Sequence, residues 1–402
     1  MYGRRIVFIV TGTVFMFFHL GGALGHNAAT ILATRLLAGI FGSAPLTNAG
    51  GAVSDIWIPR ERGFAASLYG TAPWMGPVLG PIVGGYVSQT RLGWRFPFWI
   101  MFIMAGLTAL AYISFTPETL APVLLRWRAQ NFTKASGGKT VYVSKQDMNR
   151  SQSLVHILKR DMGRPFYFLV TEPIVFLMAL YISITYATLY AFFAAYPIVF
   201  QRHRGFSEGE GGLAFLGIGL GNILGLCLSP VQNRLYWRAM DRNDGKPVPE
   251  GRLYLVMLGG VLLPVSLFWF AWTSDPPVPW IVPVLSGVPF GLSCAVIMQG
   301  LAQYLMDAYS IYCASAIAST VVARSTIAAI FPLISPALYG SLGDATACIP
   351  IPFLFYRYGG WIRSKSRYAL HDDTIIRPEN DILPSQPSEV EEKAVEVKEM
   401  KA

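Results

Sequence analysis

Three ionisable residues sit inside or at the edge of long apolar stretches: Arg35, Glu172 and Arg324. A charge at mid-membrane depth costs roughly 2.5 kcal/mol or more, so it normally faces a cavity or a partner. Two roles are open for Arg35. It is a structural partner of a carboxylate or of backbone carbonyls, or it faces a cavity and holds nearby carboxyl groups ionised. Arg324 has the same two roles, and its place nearer the end of its stretch favours the structural one. Glu172 opens its stretch. A carboxyl withdrawn from water can carry a proton, and an acid at a helix start also interacts with the helix dipole. Tyr181, Tyr186, Tyr190 and Phe193 are spaced by five, four and three residues, near one helical face. Such rings hold organic cations by cation–π contact, or they pack against lipid and neighbouring helices. Asn48, Trp74 and Asn222 are further polar or aromatic candidates for a substrate cavity. No HExxH, GxSxG or P-loop pattern occurs, so no catalytic centre and no cofactor is expected. Cys227, Cys294, Cys313 and Cys348 lack zinc-ligand spacing, and His19 and His26 read as interfacial.

The elements that must position these residues follow from composition. Of 402 residues, 53% are hydrophobic and only 14% charged, against roughly 25% charged in soluble domains. That composition excludes disorder and argues against a soluble enzyme. About 20 apolar residues cross a hydrocarbon layer of ~30 Å. Nine stretches qualify: 6–25, 29–54, 64–88, 95–115, 168–200, 211–232, 253–273, 278–303 and 314–341. A tenth, 345–358, contains Pro350 and Pro352 and is too short. The net charge of +9 invites a nucleic-acid partner, but the positions of the bases exclude it. With residues 1–5 in the cytoplasm, 26 of the 32 Lys and Arg fall in cytoplasmic loops and tail. Only Arg91, Arg95, Arg202 and Arg204 fall outside. That bias places both termini in the cytoplasm. The expected organisation is an N-terminal bundle over 1–115, a polar linker over 116–167, a C-terminal bundle over 168–358 and an acidic, largely unfolded tail over 359–402.

The most specific pattern is Gly76-Pro77-Val78-Leu79-Gly80-Pro81-Ile82-Val83-Gly84-Gly85. Gly76, Gly80 and Gly84 share a helix face, where small residues let a neighbouring helix approach. Pro77 and Pro81 each remove an amide donor and bend the helix. This pattern resembles the antiporter motif in the fifth helix of major facilitator superfamily drug:proton antiporters. Gly3-Arg4-Arg5 resembles the end of that family's signature loop, and Arg35 in Arg35-Leu-Leu-Ala-Gly39 resembles its buried arginine of helix four. Asp55 and Arg60-Glu61-Arg62-Gly63 resemble its cytoplasmic exit. Trp94-Arg95 and Pro117-Glu118-Thr119-Leu120-Ala121-Pro122 resemble helix six and its sequel in fungal twelve-helix drug and polyamine exporters. Glu172-Pro173, Tyr196-Pro197, Asp307-Ala308-Tyr309, Arg324-Ser325 and Phe331-Pro332-Leu333 continue the match to about residue 368.

The resemblance implies an all-α polytopic membrane protein of two helix bundles. The nine spans align with family helices three to eleven, with a shortened twelfth, so the N-terminal bundle is expected to lack helices one and two. It implies proton-coupled export of drugs, toxins or polyamines by alternating access, with Arg35, Glu172 and Arg324 in proton coupling. Arg4, Arg5, Asp55 and Arg62 are the implied gate charges. The expected partners are a cationic or amphipathic organic substrate, protons and the bilayer, in the plasma or the vacuolar membrane. The competing reading is a non-transporting paralogue or regulatory remnant.

Overall fold

The computed structural model describes residues 3–57, 61–91, 93–137, 142, 154–244, 246, 248–274, 277–309 and 312–341. The tenth apolar stretch and the acidic tail therefore lie outside the described residues. So does the Arg62 side chain. The described residues form thirteen α-helices and no strand. In order these are α1 Arg4–Leu24, α2 Ala28–Gly42, α3 Ala44–Ile56, α4 Arg62–Ser88, α5 Phe96–Phe115, α6 Ala121–Ala135 and α7 Leu154–Thr171. They continue with α8 Pro173–Tyr196, α9 Glu208–Leu213, α10 Leu216–Asp241, α11 Tyr254–Thr273, α12 Ile281–Ala308 and α13 Cys313–Ser341.

Eight helical segments among them are long and apolar enough to cross a membrane. Eight of the nine expected spans correspond to these. The ninth, 64–88, is α4. At 27 residues and 1.5 Å per residue it is about 40 Å long, but its glycines, prolines and hydroxyl residues leave it less apolar than the rest. Its neighbours explain the composition: α4 packs against α3, α5, α9, α10 and α12.

Local sequence sets the breaks. The expected span 29–54 is two helices, divided at Ser43, because Pro45 in the first turn of α3 cannot donate back to the preceding turn. The expected span 168–200 divides differently. Helix α7 begins far upstream at Leu154 and runs to Thr171, so the boundary expected at 167/168 falls inside a helix. Glu172 takes an extended conformation and Pro173 starts α8. Beyond α8 the chain adds a π-helical turn at Pro197–Arg202, which absorbs the excess length. The segment expected to be a plain linker contains α6.

Two groups of helices emerge. In the first, α1 packs on α2, α3 and α5. In the second, α12 packs on α10 and α11, and α8 on α13. The second group is the better filled. Phe192 meets Phe290 at 4.4 Å and Phe270 at 4.9 Å between ring centroids. Arg204 closes the end of α11, its guanidinium donating to the carbonyls of Thr273, Ser274 and Val278. Ser207 and Glu210 form a capping box at the start of α9.

Candidate functional site: the seam between the two helix groups

Helix α4 carries Ser67 and Thr71 one turn apart, and α12 carries Gln299 and Gln303 one turn apart. Each hydroxyl donates to the carbonyl four residues back, Ser67 to Gly63 at 2.9 Å and Thr71 to Ser67 at 2.8 Å. Their remaining lone pairs accept from α12. Gln299 donates to Thr71 Oγ1 at 2.9 Å, and Gln303 to Ser67 Oγ at 3.2 Å and to the Gly63 carbonyl at 3.3 Å. Asn222 on α10 donates to the Thr71 carbonyl at 3.4 Å. All of these side chains are buried. They form a polar seam that holds α4 against the second group.

The other end of α4 closes differently. A Cβ on Gly85 would lie 2.9 Å from the Glu208 carbonyl carbon, and one on Gly212 would lie 2.6 Å from the Pro81 carbonyl oxygen. Backbones touch there because no side chain intervenes. Ser88 Oγ donates to Glu208 at 2.6 Å.

Beside the seam lies a cavity of about 100 Å³. Its walls include Tyr69, Trp74, Met298, Gln299, Thr320 and Arg324. Tyr186 stands beside it, edge-on to Trp74 at 5.7 Å and 5.2 Å from the Tyr190 ring, and Tyr190 meets Phe193 at 5.6 Å. Arg324 lies 5.0 Å over the Tyr186 ring. Trp74, Tyr186, Tyr190 and Arg324, expected from sequence, are thus brought together, with Asn222 joined through Thr71. No Asp or Glu lines the cavity among the described residues. The cation on the tyrosine face is the protein's own.

The other expected residues lie elsewhere. Tyr181 is fully buried in the core of the second group, because its position points away from the seam. Asn48 lies near Arg4, to which its carbonyl is bonded at 3.2 Å. Arg35 is exposed, stacked 5.0 Å from Phe98, and shares a shallow groove with His19, Phe15 and Met101. Glu172 is buried at the α7–α8 break and accepts from the Tyr309 hydroxyl at 2.8 Å. In the glycine pattern, a Cβ on Gly76, Gly80 or Gly84 would meet nothing within 4 Å among the described residues. The expected close approach along that face is not there. Gly85, on another face of the helix, makes the contact.

Three of the expected gate charges, Arg4, Arg5 and Asp55, are described, and they lie at or against the start of α1. Arg4 Nε pairs with Asp55 at 2.7 Å, and Arg5 donates to the Ile113 carbonyl at 2.8 Å. Beneath them the Glu118 carboxylate accepts from the backbone amides of Arg4 at 2.9 Å, Arg5 at 3.1 Å, and Thr119 and Leu120 at 3.0 Å each. Gly3 has φ +101°, and a Cβ there would run into that carboxylate. Burial pushes the Glu118 carboxyl up, but the four amide bonds outweigh it and hold it below the ordinary 4.5. A carboxyl lowered by folding stabilises the fold above its unfolded pKa, and that stabilisation disappears as pH falls through its folded value. Glu118→Gln is therefore expected to lose about 1–2 kcal/mol at neutral pH. Thermal unfolding across pH checks this: wild type and variant should converge as acid protonates Glu118.

A second cluster escaped the sequence reading. Arg252, 2% exposed, donates from Nε to Asp307 at 2.8 Å. Its Nη1 donates to Gln303 Oε1 at 3.0 Å and Asn233 Oδ1 at 3.4 Å, and its guanidinium lies 3.4 Å over Tyr236. The signal was present. Gly251-Arg252 opens an apolar span as Gly3-Arg4 does, and an aspartate follows 55 residues on, against 51 for Arg4 and Asp55. The two halves repeat one device.

A helical membrane protein with two helix groups, a matched Arg–Asp pair in each and a cavity on their seam has the architecture of a solute carrier. Residues 1–332 match the Major Facilitator Superfamily, and the chain belongs to that family, whose members are membrane transporters and not enzymes. It is 41% identical over 388 residues to the efflux pump FUBT of Fusarium oxysporum, covering 94% of this chain and 65% of the relative. It is also 41% identical over 391 residues to the multidrug transporter mdrA of Aspergillus fumigatus, covering 94% and 63%. The chain thus spans a little under two thirds of these relatives. Among solved structures it resembles the human organic anion transporter MFSD10, with a TM-score of 0.59 at 18% identity over 90% of this chain and 77% of that one. The proton:xylose symporter XylE follows at 0.57 and 17%, over 90% and 79%. At these identities the likeness is one of fold.

Proposed function

We propose that the protein exports small organic molecules, drugs or toxins, by alternating access driven by a proton gradient. The observation that carries this reading is a small cavity walled in part by Gln299 and Gln303, the amides that bond α12 to α4 across the seam. Drug-sized ligands need roughly 300–1,000 Å³, so a cavity of about 100 Å³ admits substrate only when the seam parts. Seam bonds of this kind exchange for water at modest cost, since a net intramolecular hydrogen bond contributes about 1 kcal/mol. The efflux-pump relatives support the direction of transport.

In this reading residues 1–115 and 168–358 act as the two moving bundles about the segment 116–167, with both termini cytoplasmic and the plasma membrane as the site of action. Glu172, buried and bonded to Tyr309, takes up and releases the proton. Arg324 faces substrate. Arg35, outside the cavity, acts through its field. The pairs Arg4–Asp55 and Arg252–Asp307 lock the gate. Of the substrate classes the resemblance implies, polyamines fit least, because no carboxylate among the described residues lines the cavity.

The test is flux of a fluorescent drug by the full-length protein in proteoliposomes under an imposed pH gradient. Glu172→Gln is expected to abolish gradient-driven flux while leaving energy-independent exchange. Gradient-driven flux at the wild-type rate in that variant would remove Glu172 from proton coupling. Absence of any flux in the wild type would overturn the exporter reading.

A further inference from the structure

We infer that the seam cavity binds organic anions, compounds with a carboxylate on a flat apolar body, and that Arg324 is the residue that holds the carboxylate. This deepens the transport reading and rests on it for the cavity's role. Three observations carry it. Arg324 lines the cavity, and no carboxylate partner is recorded for it among the described residues. Its Nε is buried with no hydrogen-bond partner among them. A buried guanidinium donor left unbonded costs free energy that a ligand oxygen would recover. The other walls are uncharged and mostly apolar, with aromatic and amide groups at Tyr69, Trp74, Gln299 and Gln303, and Tyr186 stands edge-on to Trp74.

The charge balance points the same way. The described carboxylates nearest the seam are engaged, Asp307 by Arg252 and Glu172 by Tyr309. Arg324 already occupies the face of Tyr186 that an organic cation would use. An incoming cation would meet like charge and no acid, whereas an incoming carboxylate meets a planar donor fork that suits it. Its aromatic body would then lie against Trp74 and Tyr69, and Gln299 could donate to a second acceptor once the seam opens. The tyrosine stack keeps Arg324 extended toward the cavity, so the cation–π contact orients a docking group.

Binding of three probes of similar shape separates the possibilities: benzoate, neutral benzamide and cationic benzyltrimethylammonium, titrated into the purified full-length protein in detergent. Benzoate is expected to bind tightest. Arg324→Gln is expected to weaken benzoate about tenfold or more, leave benzamide unchanged, and improve the cation. Arg324→Lys, which keeps the charge without the fork, should recover part of the benzoate affinity. If Arg324→Gln fails to fold, the ranking of the three probes on the wild type decides alone. Benzoate that does not bind, or binds no better than benzamide, overturns the inference, as does undiminished benzoate binding by a folded Arg324→Gln. Flux assays separate this from the transport reading. Arg324-dependent benzoate binding without gradient-driven flux leaves the anion site standing and removes the exporter. Flux with a preference for cations does the reverse.

Discussion

Arg252→Ala is expected to destabilise the protein by about 3–5 kcal/mol, because breaking a buried ion pair leaves its partner charged and uncompensated. The partner is Asp307, whose side chain is 4% exposed. The loss extends further, since the Nη1 contacts to Gln303 and Asn233 and the stack on Tyr236 go with it. Arg252→Lys keeps the charge but not the fork that reaches three acceptors at once, so it should recover only part. Removing both charges is a different experiment. Arg252→Met with Asp307→Leu should regain most of the lost stability, since well-packed apolar pairs often equal buried ion pairs. Thermal unfolding in detergent of wild type, Arg252→Met, Asp307→Leu and the double variant, taken as a double-mutant cycle, gives the coupling. An Arg252→Ala variant as stable as wild type would mean that the pair is solvated and the seam is held some other way. Gln303 makes the result relevant to gating. Its oxygen accepts from Arg252 while its nitrogen donates to Ser67 and Gly63 across the seam. Arg252 therefore fixes which way that amide faces.

Gly221→Val is expected to cost about 1–3 kcal/mol or more by overpacking, while Gly80→Ala costs nothing and gains up to ~1 kcal/mol of helix propensity. The contrast follows from what each helix face meets. Gly217, Gly221 and Gly225 on α10 repeat every four residues, and so do Gly287, Gly291 and Ala295 on α12. A Cβ on Gly221 would meet the Val288 carbonyl oxygen and lie 2.7 Å from the Leu292 amide nitrogen, so the two backbones would have to separate. Gly291 faces the Ile218 carbonyl as closely. At Gly80 a Cβ enters open space. Unfolding temperatures of the two variants against wild type decide it. A destabilised Gly80→Ala would show that α4 has a helical partner beyond the described residues.

Much of this was legible in the sequence, and the reasons differ by feature. Span positions came through because the bilayer imposes a length and a polarity that single residues cannot disguise. Trp74, Tyr186 and Arg324 stood out as aromatic or charged residues inside apolar stretches, whereas Arg4 and Asp55, just outside them, were singled out by the family resemblance. The close-packed glycines were harder. A four-residue glycine repeat marks a face but not its neighbour, so Gly76, Gly80 and Gly84 drew attention while the repeats on α10 and α12 did the packing. Arg252 was hidden by counting. As one of five bases in a loop it served the charge bias, and only its pairing across 55 residues reveals a buried role. Asn48 and Tyr181 failed for a rotational reason: their helices lie near the seam, but their side chains or backbone serve another face.

Helix α4 contains Pro73, Pro77 and Pro81, each of which withdraws an amide from the ladder, so the carbonyls of Tyr69, Pro73 and Pro77 lack their usual partners within the helix. The helix is therefore mechanically soft over its middle turns and stiffer at its ends. Both ends engage the second helix group, at Ser67 and Thr71 on one side and at Gly85 and Ser88 on the other, while the middle meets it through the side chains of Trp74 and Val78. A uniform rod would transmit any tilt of one end to the other and couple the two closures rigidly. A rod with a compliant centre lets one end peel away while the other stays seated, so in the proposed transport cycle the spacing of three prolines would set how independently the two ends of α4 part from the second group.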